Sequence, residues 1–284
     1  MIQIGLRAHD FGKMPPDQLA DIIAAHHLAT IQLNLGKAII PAPEPGTLSS
    51  VYAGRIRKIF NDRNISIAVL SCYINPVHPD REQREKQLKI FEEHLRYARD
   101  FGCTLVGTET GSLNPDCLFH PETEKEETFE LLCSSIERPV NYAEKYGSVV
   151  AVEAMAHYHT VSTVEKMEKL LLRFPSPSLK VIWDLVNLIP ITGLEESQEH
   201  FFTRVLDMVG DKIAVIHAKD FRMQGGVKKG DLSTGTGELD WMALLKLLQQ
   251  RKDGIDIILE NTDQVGARRT IAFLRETAEK ALRN

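Results

Sequence analysis

The chain has 284 residues, enough for one large globular unit or two small ones, with 43% hydrophobic and 26% charged residues. Its formal charge of −5 provides no basic excess to displace counterions from a duplex, which argues against nucleic acid as a partner. No apolar run reaches the roughly 18–20 residues of a membrane span, and the four cysteines (Cys72, Cys103, Cys117, Cys133) form no CxxC pair, so a cytoplasmic protein with reduced thiols and no membrane contact is expected.

The N-terminus, MIQIGLRAHDF, opens on strand-like residues, without the basic and apolar regions of a signal peptide. Apolar periodicity then alternates between two repeats. Short β-type runs fall at 2–8, 30–35, 66–74, 104–109, 149–155, 180–185, 213–218 and 256–261. Charge-rich segments of helical spacing fall at 17–27, 49–63, 81–101, 123–146, 163–173, 195–208, 241–250 and 266–283. The Pro-rich IIPAPEPG (39–46) reads as a long loop after the second strand. Strict alternation implies parallel strands with right-handed crossovers. Eight such units in about 250 residues predict a closed (β/α)8 barrel with its active site at the C-terminal face of the strands. A doubly wound sheet also holds eight strands but requires no particular number. No Pro/Gly/Ser-rich linker divides the chain, so one domain over residues 1–284 is expected.

Each of the last four strands ends in one hard ligand. VVAVE ends in Glu153, KVIWD in Asp184, IAVIH in His217 and DIILE in Glu260, at spacings of 31, 33 and 43 residues. In a parallel barrel these four side chains emerge at similar height on one face. Taken singly, each is explained by a cap, a salt bridge or a hydrogen-bonded core imidazole. Together, three buried carboxylates would repel one another and raise their own pKa values, a conflict that a divalent cation removes. The oxygen-rich set favours Mn²⁺ or Mg²⁺, and the imidazole admits Co²⁺ or Zn²⁺. A structural zinc would recruit thiolates, and no cysteine ends these strands.

The segments VAVE, WDLVNL, VIHAKDF, GTGELDW (235–241) and IILEN resemble the xylose isomerase-like barrel superfamily, the sugar (phosphate) isomerase/epimerase group, over essentially the whole length. The resemblance implies one divalent metal, Mn²⁺ by preference, held by Glu153, Asp184, His217 and Glu260. It also implies that Glu153 and Glu260 act as acid and base on a 1,2-hydroxyketone whose metal-polarised carbonyl acidifies the neighbouring C–H. From the resulting enediolate, proton return to the opposite face epimerises, and return to the adjacent carbon isomerises. Expulsion of a β-hydroxyl dehydrates, as in the inosose dehydratases of the same superfamily. The implied substrate is a small sugar, sugar phosphate or polyol, and the implied assembly a homodimer or homotetramer.

Candidate substrate contacts surround this set. Arg222 falls near where such epimerases place an arginine on substrate oxygens. Lys219 and Asp220 belong to the family's HxKD pattern, with capping or orienting as the alternative role for Asp220. Asn187 stands where related epimerases often have a histidine, a departure from their pattern. His157 and His159 follow Glu153, while Arg7, His9, His78 and Glu109 follow strands of the first half. GTGELDW does not complete GxGxxG and reads as a turn before a helix capped by Asp240.

Two rivals remain. SCYIN, TETGS and VE resemble segments of the three-zinc endonuclease IV type, yet Leu70, Glu109 and Asn187 occupy positions of its histidines, and Lys229-Gly230-Asp231 replaces its Asp-x-His. A non-catalytic sugar-binding barrel would show a broken ligand set, whereas all four ligands are present here.

Overall fold

A computed structural model describes residues 2–283. Its strands, in chain order, are β1 (Gln3–Arg7), β2 (Thr30–Leu33), β3 (Ser66–Ser71), β4 (Leu105–Glu109), β5 (Val149–Glu153), β6 (Leu179–Asp184), β7 (Ile213–Ala218), β8 (Asp220–Gln224), β9 (Val227–Leu232) and β10 (Asp256–Leu259). All but β8 and β9 are parallel and close into a barrel in the order β1-β10-β7-β6-β5-β4-β3-β2. The helices are α1 (Pro16–Ala24), α2 (Leu35–Ala38), α3 (Ser50–Asn61), α4 (Arg81–Tyr97), α5 (Glu126–Tyr146), α6 (Val164–Arg173), α7 (Gln198–Val209), α8 (Trp241–Arg251) and α9 (Gln264–Arg283). The eight-strand parallel barrel expected from the alternation is therefore present. No helix among the described residues is long and apolar enough to cross a membrane.

Side-chain caps set several helix starts. Ser49, Thr163, Ser197 and Asp240 each accept from the backbone N–H three residues on, and Asp80 accepts from those of Glu82 and Gln83. Each such cap stabilises its helix by about 1 kcal/mol. Where the structure departs from the expected boundaries, a local bond explains it. The strand expected over 30–35 stops at Leu33, because Asn34 accepts from Lys37 N at 2.9 Å and opens the short α2. The strand expected over 66–74 stops at Ser71, and Ile74 N turns aside to Thr108 Oγ1 at 3.1 Å.

Between β7 and α8, where no element was expected, the chain forms the β8–β9 hairpin. Gly225 (φ 59°) and Gly226 (φ 75°) form its two-residue turn, a conformation that side chains resist. Lys228 N donates to Ile191 O at 2.7 Å and docks the hairpin on the loop after β6.

The barrel interior is a layer of Val69, Ala151, Ile182, Val215 and Ile258, all fully buried. Each of the larger ones contributes roughly 1.5–3 kcal/mol of burial. Two strands enter the layer through glycine. A Cβ on Gly107 would lie 2.9 Å from Ile182 Cδ1, and one on Gly5 would lie 2.5 Å from Thr30 O. Neither position has room for a side chain, so the barrel closes tightly beneath its mouth.

Candidate metal and active site

Strand side chains alternate with a period of two, so the residue two beyond each interior position points into the same space one layer higher. Those residues are Arg7, Gln32, Ser71, Glu109, Glu153, Asp184, His217 and Glu260. An apolar layer is thus capped at the C-terminal end by a polar one. Register aligns Glu109 with Glu153 and Asp184 with His217 across neighbouring strands. One ligand-type atom from each of Glu153, Asp184, His217 and Glu260 lies within 4.8 Å of the others, and all four residues are buried.

His217 is fully buried, and its Nδ1 stands 3.1 Å from Glu260 Oε1 and 3.3 Å from Glu153 Oε2. Its Nε2 is 2.6 Å from Gln32 Oε1. An amide oxygen only accepts, so Nε2 donates, and in the neutral ring the Nδ1 lone pair faces the carboxylates. Gln32 Nε2 donates to the Tyr73 hydroxyl at 3.2 Å, which donates to Glu153 Oε2 at 2.8 Å. Asn187 Nδ2 donates to Glu153 Oε1 at 2.7 Å. Asp184 Oδ1 accepts from the backbone of Val186 (2.8 Å) and Asn187 (2.7 Å), while Oδ2 pairs with Lys219 Nζ at 3.0 Å. Lys219 also lies 3.5 Å from Glu260 Oε2, whose other oxygen pairs with Arg7 at 3.0 Å.

The electrostatics follow from this crowding. Burial alone would lower His217, but Glu153 and Glu260 overcome it and push it up to about 10. Burial opposes ionisation of Glu260, yet Lys219 and His217 hold it well below the usual carboxylate range. Glu153 is lowered against its own burial, chiefly by His217. Asp184 is raised, because burial outweighs its pairing with Lys219. Burial, reinforced by Glu153 and Glu260, pushes Glu109 up to about 7.

Protonated His217, with Arg7 and Lys219, balances the three carboxylates; a cation ligated by His217 would displace that proton and meet a set carrying one net negative charge. At the centre of this set, buried His217 Nδ1 faces only the two glutamates, and buried Asp184 Oδ2 faces only the Lys219 ammonium. Both observations fit a hard divalent cation, and Gln32 supplies the outer hydrogen bond that orients a ligating imidazole.

The other expected residues divide. Lys219 joins the cluster, and Asn187 reaches it through Glu153. Glu109, Arg7 and His9 line a cavity of about 320 Å³ above the cluster, together with Lys37, Tyr73 and Lys219. Arg222 does not reach it: the side chain is exposed on the hairpin and donates to Thr236 O at 3.0 Å, contrary to the expected contact with substrate oxygens. His157 also turns away, its ring stacked on Phe119 at 4.5 Å. His78 is spent on the turn before α4, where its Nδ1 accepts from Asp80 N at 3.1 Å. Asp220 holds the loop over GTGELDW rather than facing the cavity, accepting from Gly235 N, Leu239 N and Trp241 Nε1, each at 3.0 Å. Gln32 and Tyr73 belong to the site and were not anticipated.

The sequence profile of the family described as xylose isomerase-like TIM barrel matches residues 16–277. No curated protein matches the chain. Among solved structures, a D-tagatose 3-epimerase-like protein superposes with TM-score 0.77 at 17% identity, covering 99% of this chain and 98% of its own. L-ribulose 3-epimerase gives 0.75 at 13%, covering 100% and 96%. A xylose isomerase-like TIM barrel protein from Mycobacterium smegmatis, solved in complex with magnesium, gives 0.72 at 16%, covering 99% and 97%. At these identities the likeness is one of fold.

Proposed function

The chain belongs to the xylose isomerase-like TIM barrel family, and we propose that it is a divalent-metal-dependent epimerase or isomerase of a small sugar, sugar phosphate or polyol. The observation that carries this reading is the buried set Glu153, Asp184, His217 and Glu260 beneath a polar cavity. Two of the similar structures are named for 3-epimerases, which favours epimerisation beside the carbonyl of a ketose.

These four residues would hold one cation, Mn²⁺ by preference. When bound, it would polarise a substrate carbonyl and acidify the adjacent C–H. Glu153 and Glu260 flank Asp184 and His217 around the barrel wall, an order that supports a carboxylate on either side of a bound hydroxyketone. One takes the proton and the other returns it. Lys219 and Arg7 hold Glu260 ionised and ready to accept, while Tyr73 and Asn187 fix both oxygens of Glu153. Return of the proton to the opposite face of the same carbon gives the epimer. Glu109, Lys37 and His9 face the cavity and offer contacts to substrate hydroxyls. The reading carries with it a single-domain cytoplasmic enzyme, without nucleic acid or membrane partners, assembled as a homodimer or homotetramer.

The test is Mn²⁺ binding to metal-stripped, untagged protein, counted by plasma mass spectrometry after desalting. One equivalent in the wild type and none in His217→Ala is expected. No retained Mn²⁺ in the wild type, or an equivalent that survives in His217→Ala, removes the proposed metal role.

A further inference from the structure

A second group of ligand-type side chains lies outside the strand-end set. We propose that Glu109, Cys117 and His159 form a separate cation site suited to a borderline ion such as Zn²⁺. One ligand-type atom from each lies within 4.8 Å of the other two. His159 is only 2% exposed, its Nδ1 has no hydrogen-bond partner, and its Nε2 faces Glu109 Oε2 at 3.8 Å, too far for a hydrogen bond. The unpartnered Nδ1 of this buried imidazole carries a desolvation cost, which ligation of the ring beside the Glu109 carboxylate would offset.

The fold brings the three residues together from neighbouring strands. Glu109 ends β4, Cys117 sits in the loop that follows, and His159 sits in the loop after β5. The two loops are stitched together, since Thr160 N and its hydroxyl both donate to Gly111 O (2.8 and 3.1 Å) and Val161 N donates to Thr110 Oγ1 at 3.3 Å. The loop ends next to Glu109 and His159 are therefore held together without the ion. Register pairing of Glu109 with Glu153 puts this site beside the first, and Cys117 lines an adjoining cavity of about 540 Å³.

The two sites differ in softness. The strand-end set is three carboxylates and an imidazole, whereas this one is a thiol, an imidazole and a carboxylate, the mixture that suits Zn²⁺. Three protein ligands would leave a fourth tetrahedral position open. Binding converts the Cys117 thiol to a thiolate and releases its proton to solvent.

Co²⁺ distinguishes the sites, because a cobalt–thiolate bond gives an intense near-ultraviolet charge-transfer band that oxygen and imidazole ligands do not. Reduced, metal-stripped full-length protein would be titrated separately with Mn²⁺ and Co²⁺. The expected result is one equivalent of Mn²⁺ and two of Co²⁺, with the thiolate band. Cys117→Ser should lose the band and one Co²⁺ equivalent while keeping the Mn²⁺ equivalent, which also shows that it folds. His159→Ala should weaken the band-forming event by about tenfold or more. His217→Ala should lose Mn²⁺ but keep the band, so the two sites fail separately. A single Co²⁺ equivalent without the band, or a band that survives Cys117→Ser, overturns the proposal.

Discussion

Replacing Asp220 by alanine should cost the protein several kcal/mol, although Asp220 touches neither the proposed cation nor the cavity. The carboxylate is fully buried and accepts four N–H groups: Phe221 N at 2.9 Å, and Leu239 N, Gly235 N and Trp241 Nε1 at 3.0 Å. Three of these bonds are wholly buried and the one to Gly235 is partly so. Each stranded buried donor costs about 1–3 kcal/mol. With water entering the space vacated by the carboxylate, a net loss of about 3–5 kcal/mol is expected. At about 2 °C per kcal/mol for a chain of this size, the midpoint should fall by about 6–10 °C. Asp220→Asn keeps one acceptor oxygen but turns an amide donor on two of the N–H groups, so it should fall as well. The assay is reversible thermal or urea unfolding at neutral pH. An alanine variant within about 1 °C of wild type would show that the loop over 233–241 does not depend on this carboxylate. Gly237 supports the same picture, since a Cβ there would lie 2.2 Å from Phe221 O and 2.3 Å from Asp220 Oδ1.

Gln32→Leu removes the partner of His217 Nε2 and should weaken Mn²⁺ binding by about 10–100-fold with the fold preserved; unchanged affinity by calorimetry would refute the orienting role. Lys219→Met leaves Asp184 and Glu260 short of a cation and should destabilise the metal-free protein by about 3–5 kcal/mol. Most of that loss should return on adding Mn²⁺, and a loss that Mn²⁺ does not restore contradicts the shared electrostatics. Lys228 is held below the ordinary lysine value, at about 8, by burial. Between that value and the unfolded 10.5 the unfolded chain binds more protons, so stability rises with pH across this window. The wild type should therefore gain on Lys228→Met from pH 8 to 10.5, by at most about 3 kcal/mol, in urea unfolding; a flat difference would refute the burial argument.

The second half of the barrel was legible because its strands run VVAVE, KVIWD, IAVIH and DIILE, apolar to the end and then abruptly polar. The same two-residue step exists in the first half, where Gly5 precedes Arg7, Thr30 precedes Gln32 and Gly107 precedes Glu109. It was hidden because glycine and threonine carry little hydrophobic signal. Gln32 in TIQLNL looks like the polar face of a half-exposed strand, yet it is fully buried against His217. Tyr73 reaches Glu153 from beyond the end of β3, where no periodicity guides the eye. The hairpin was obscured by the polar, Lys-rich DFRMQGGVKKGDL, although its Gly-Gly pair between two five- or six-residue runs is a hairpin signal. Arg222 was misplaced for the same reason. Expected near substrate oxygens, it lies on a strand that carries it outward.

The most direct test of the central claim is proton exchange in D₂O, followed by NMR, for a panel of ketoses, their phosphates and keto-polyols, with Mn²⁺-loaded wild type beside Glu260→Gln and Glu153→Gln. The account predicts that at least one substrate exchanges the proton on the carbon beside its carbonyl, with the epimer appearing, and that both variants lose this activity. Exchange at the wild-type rate in either variant, or no exchange on any member of the panel by protein that retains its Mn²⁺, would contradict it.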